Sequence, residues 1–133
     1  MLYYKQIQLK PAHDSWVVDV IVCEDLEHRK QFYQDKYGWH VDSLGELDGN
    51  DFVTDVCGKK GSTIDGRMRI VLNLSNLNDK QIMVHEITHV LFYAQKFIGL
   101  NVNWESQEWC ACFMEMLWVE LNKPNYEKIK PKK

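Results

Sequence analysis

The sequence predicts an α+β domain in which a small, mostly antiparallel sheet packs on two long helices, with one further helix between the early strands. Three observations lead there. Trp16 to Val22 is a dense β-branched run, Arg67 to Leu74 alternates Met68, Ile70, Leu72 and Leu74 with other residues, and three segments carry apolar residues at helical spacing. At 133 residues the chain is one domain, large enough for a single core without disulfide or metal staples.

In chain order, Tyr4 to Leu9 alternates polar with apolar and reads as a short edge strand before Pro11. Trp16 to Val22 is the strongest strand of the first half. Asp25 then offers an N-cap for a helix from Leu26 to Tyr37 that ends at Gly38, with Leu26, Phe32 or Tyr33, and Tyr37 turned inward and His28 on the solvent side. Residues 38 to 51 hold Gly38, Gly45 and Gly49 among polar residues and mark a loop. Phe52 to Cys57 reads as a further strand, followed by a turn at Gly58 to Thr63 and the strand Arg67 to Leu74. Asn78, with Gln81 as capping box, opens a helix over Asp79 to Phe97 that stops at Gly99. After a short connection a last helix runs from Trp104 to about Leu121. The basic residues 128 to 133 are expected to be a flexible solubilising tail.

The chemistry concentrates on the Asp79–Phe97 helix, which carries His85, Glu86 and His89 in the spacing H-E-x-x-H. Histidines four apart project from one face, about one turn from each other, so both imidazoles can reach a single Zn²⁺ ion at roughly 2.0–2.1 Å. Glu86 lies about 100° further round, suited to take a proton from a metal-bound water as general base. A catalytic zinc keeps three protein ligands and one open position. The last helix offers Glu105, Glu108 and Glu115 for the third place.

The segment Ile82 to Leu91, with uncharged Ile87, Thr88 and Val90 around the histidines, resembles the signature of the zincin metallopeptidases. Glu108-Trp109-Cys110-Ala111-Cys112 on the following helix resembles the glutamate-bearing helix of the gluzincin type, in particular that of small phage-encoded gluzincin-like proteins. The likeness covers about residues 52 to 121. It implies a minimal zincin-like fold, one Zn²⁺ ion held by His85, His89 and Glu108, Glu86 as the catalytic base, and a peptide or protein substrate. Cys112 stands where larger gluzincins carry an aspartate that orients the first histidine, which leaves the partner of His85 unassigned. In such enzymes a histidine or tyrosine from outside the ligand set stabilises the oxyanion, and His40 and Tyr93 are the candidates here. Tyr93 at helical spacing also reads as a core aromatic.

Composition narrows the partners. A net charge of -3 gives no reason to expect nucleic acid. No run of eighteen apolar residues and no secretory design at Met1 to Gln6 indicate a chain that works in the cytoplasm, the host's if phage-encoded, without a membrane partner. Of four cysteines, Cys110 and Cys112 would point to nearly opposite sides of a helix and cannot pair there; free thiols are expected. Two functions fit: a zinc-dependent peptidase, or a binding or regulatory protein that keeps the metal scaffold without proteolysis.

Overall fold

The computed structural model describes residues 1–8, 16–38, 52–55, 68–98 and 101–131. They form β1 (Leu2–Gln8), β2 (Trp16–Val22), α1 (Leu26–Tyr37), β3 (Phe52–Asp55), β4 (Met68–Leu74), α2 (Lys80–Ile98), α3 (Gln107–Asn122) and β5 (Glu127–Ile129). The strands make one mixed sheet in the order β3-β4-β2-β1-β5. β2 and β4 run parallel, from Trp16 opposite Met68 to Val22 opposite Leu74, and every other pairing is antiparallel. The domain is thus α+β with a mostly antiparallel sheet, as the sequence predicts.

Two expected placements are corrected. β1 is not an edge strand, because β5 pairs with it from Leu2–Ile129 to Tyr4–Glu127. The basic tail accordingly begins later than residue 128, since Lys128 and Ile129 belong to β5. β4 lies inside the sheet, flanked by β2 and β3, and among the described strands β3 is at its end. A parallel pair needs cover on both faces. Residues 70 to 74 of β4 and 17 to 22 of β2 are all buried.

The two faces are covered differently. Val18, Val20, Ile70, Leu72 and Leu74 pack with Met83, Ile87 and Val90 of α2 and with Phe113, Leu117 and Leu121 of α3. Ile21 and Val71, on the opposite face, meet Tyr33 and Tyr37 of α1. α1 begins where Asp25 Oδ1 accepts from the His28 amide at 3.1 Å and ends at Gly38, whose φ of 69° and N–H bond to the Gln34 carbonyl make the left-handed cap that glycine adopts without a Cβ penalty. His28 is buried rather than solvent-facing. It lies next to Arg29, which is fully enclosed and donates to the Cys23 carbonyl.

α3 is tied down at its far end by Lys5 of β1. Its ammonium donates to the carbonyls of Glu120 and, at 2.9 Å, Lys123, and lies 4.2 Å from the Tyr126 ring centroid. A cation on the last carbonyls of a helix opposes the negative end of the helix dipole. Burial pulls the Lys5 ammonium below the ordinary lysine value. No helix among the described residues is long and apolar enough to cross a membrane.

Candidate metal centre

Local sequence fixes the start of α2. Asn76 Oδ1 accepts from the amides of Asn78 and Asp79 at 2.8 and 3.2 Å, which turns the chain, and Asp79 Oδ1 then accepts from the Ile82 amide at 3.1 Å. The N-cap is therefore Asp79, not Asn78 with Gln81. From that start the 3.6-residue period sends Met83, Ile87, Val90, Leu91 and Ala94 into the core. His85 and His89 face outward.

The two imidazoles converge. Their Nε2 atoms are 3.3 Å apart, with ring centroids at 5.0 Å and ring planes at 70°. Two nitrogens each bound at 2.0–2.1 Å to a tetrahedral zinc are about 3.3–3.4 Å apart. The pair therefore fits the bite of one such ion, and it is long for an N–H···N hydrogen bond between neutral rings. Glu86, next in the chain, is 7% exposed and so sits out of bulk water beside this exposed pair.

α3 begins later than its composition predicts. Asn103 Oδ1 accepts from the amides of Glu105 and Ser106 at 2.9 and 3.0 Å, and the Ser106 hydroxyl donates to the Asn101 carbonyl. That turn occupies 103 to 106, so Trp104 stands outside the helix, 82% exposed. The helix then buries Cys110, Phe113, Leu117 and Leu121. Glu108, two residues and hence about 200° from Cys110, faces away from that stripe and is exposed, as are Glu105 and Glu115. Glu108 Oε1 accepts from the Cys112 thiol at 3.6 Å. This bond to the carboxylate pushes the thiol above its ordinary value.

His85 and His89 are thus brought together, and Glu108 is exposed on the neighbouring helix. Among the described residues no group of three His, Cys, Asp or Glu could hold a metal ion. Tyr93 is half-buried and packs on the core cluster, the role its spacing predicts. His40, His13, Cys57 and Gly99 lie outside the described residues. Cys110 is buried and Cys112 exposed, both as free thiols.

Some of the surroundings had no sequence signal. Ile82, Val84 and Phe92 on α2 are exposed around the histidines. A cleft of about 620 Å³ opens at the carboxyl ends of β2 and β4, lined by Met1, Tyr3, Val22, Glu24, Asn76 and Leu77. It includes neither histidine, and the pairings of β1 with β2 and of β2 with β4 bring its walls together. No family model, curated protein or solved structure matches the chain, so its likeness to the gluzincins rests on the residues quoted from its own sequence.

Proposed function

We propose that the chain is a zinc-dependent metallopeptidase with a minimal zincin-like fold, acting in the cytoplasm on a peptide or protein substrate. The observation that carries this is the 3.3 Å separation of His85 and His89 Nε2 on the helix that also presents Glu86. His85, His89 and Glu108 would hold the ion, Glu108 from the neighbouring helix. When bound, zinc polarises the scissile carbonyl and lowers the pKa of the attacking water. Glu86 accepts the proton of that water and returns it to the leaving amine. A partly enclosed carboxylate suits that exchange, because it competes less with bulk water. β3 ends the sheet on the side where α2 packs against it, and its outer N–H and C=O groups are suited to align an extended peptide by strand addition.

Replacing Glu86 by Gln removes the base and leaves the ligands. Glu86→Gln is expected to retain zinc by metal analysis while chelator-sensitive cleavage of denatured casein falls about 10²–10⁴-fold. Cleavage equal to that of the parent would show the mechanism to be wrong.

One observation favours a second reading, a non-proteolytic binding or regulatory protein. The histidine pair lacks a grouped third ligand among the described residues and is bordered by exposed Ile82, Val84 and Phe92, the kind of surface that takes a partner. A stable pulled-down partner that is never cleaved, with or without zinc, would support it.

A further inference from the structure

The histidine pair sits at the centre of a symmetric exposed stripe. Ile82, His85, His89 and Phe92 fall within about 80° of one another around α2, at about 100° per residue, and all are exposed. Position 87 is the midpoint both of His85 and His89 and of Ile82 and Phe92. The two apolar side chains, 37% and 52% exposed, therefore flank the pair at about 7.5 Å along the axis on either side. A second α2 crossing antiparallel, about a two-fold axis through that midpoint, sets Ile82 against the partner's Phe92 and one histidine pair against the other. Such a contact is self-complementary, as a symmetric dimer requires.

Coordination chemistry points to the same occupant. Nitrogens 3.3 Å apart take two positions of a tetrahedral ion and leave two for a like pair. Two copies supply four imidazoles. We propose that a second copy of this chain docks on the outer face of α2, bridged by one zinc ion through His85 and His89 of each copy. Four protein ligands close the position a water needs, so the bridged dimer is a resting form of the site assigned above. The proposal shares the histidine pair with the peptidase reading but depends on neither Glu86 nor Glu108. A stripe of four side chains per copy falls far short of the roughly 1,200–2,000 Å² that stable interfaces bury, so the contact needs the metal.

The test is sedimentation velocity on the full chain, stripped with chelator and titrated with zinc. The expected mass is 15.8 kDa in chelator, twice that near half a zinc per chain, and a return toward the single chain as each pair takes its own ion. His89→Ala stays single at every ratio, Phe92→Lys raises the concentration needed for dimerisation at least tenfold, and Glu108→Gln dimerises like the parent. A mass that stays at one chain at half a zinc per chain, or a dimer that survives His89→Ala, overturns the proposal. Chelator-sensitive hydrolysis without any dimer overturns it and leaves the peptidase reading standing. A zinc-dependent dimer with no hydrolysis at any zinc level supports it and removes the peptidase reading.

Discussion

The two faces of the sheet are held by different physics. Toward α2 and α3 the interior is hydrocarbon, with Val18, Val20, Ile70, Leu72, Leu74, Phe113 and Leu117 in one cluster. Toward α1 the same strands bury Asp19 and Asn73, and the helix answers with Arg29, Tyr33 and Tyr37. Asp19 accepts from the hydroxyls of Tyr4, at 2.9 Å, and Tyr37. Asn73, with its amide oxygen toward Arg29, accepts from Nη1 at 2.9 Å and Nη2 at 3.3 Å and lies against the Tyr33 hydroxyl. An apolar face is non-directional and tolerates adjustment, whereas a buried polar network fixes one arrangement and is costly when a single member is lost. The candidate metal centre rests on the hydrocarbon face, so its helices are held by packing and their outward residues are left to chemistry.

Four changes test this contrast. The largest effect is expected on the apolar face, where Leu117→Ala empties a fully buried position and should cost about 3–5 kcal/mol in urea unfolding. Arg29→Met on the polar face keeps volume but strands the Cys23 carbonyl and the Asn73 oxygen, with an expected loss of about 2–4 kcal/mol. A loss under 1 kcal/mol would mean that the network is not what holds α1. Next comes alkaline pH. Burial pushes the Tyr33 phenol well above its ordinary value of 10. Its folded pKa is raised, so its contribution is complete below the unfolded value near 10 and is lost as pH rises beyond it. Stability should then fall by about 1.4 kcal/mol per pH unit from this residue, and Tyr33→Phe should flatten that slope.

The smallest effect has the opposite sign. His28 is 7% exposed and its Nε2 has no hydrogen-bond partner among the described residues. A buried polar atom without a partner is a cost, so His28→Leu should raise the urea midpoint, by about 1 kcal/mol in stability. A fall instead would assign this histidine a favourable contact.

Local patterns in the chain forecast elements better than surroundings. α1 runs from Leu26 to Tyr37 between the Asp25 cap and Gly38, and β2 covers Trp16 to Val22, both as predicted. These boundaries depend on cap chemistry and β-branched density within a few residues. α3 starts after Trp104 instead of at it, because the Asn103 side chain takes the amides of Glu105 and Ser106 and the Ser106 hydroxyl takes that of Asn103. His28 reads as a surface residue, yet α1 buries it together with Arg29, whose partner Asn73 is distant in sequence and invisible to periodicity. For the candidate site, the four-residue spacing of His85 and His89 carries their convergence, which is a property of one helix. Where Glu108 lies relative to them depends on how α3 rotates to bury Cys110, Phe113 and Leu117, and no single-helix rule contains that rotation.

By itself the sequence determined the three helices, the strands up to β4, the facing imidazoles of α2 and the α+β class, because each follows from contacts within one turn or one strand. Tertiary structure decided that β4 is central, that β5 covers β1, that the strands bury a polar network beneath α1, and that Ile82 and Phe92 stay exposed beside the histidines. Those outcomes hinge on pairings between segments far apart in the chain, where the free energy depends on which surfaces meet and not on what either segment prefers alone.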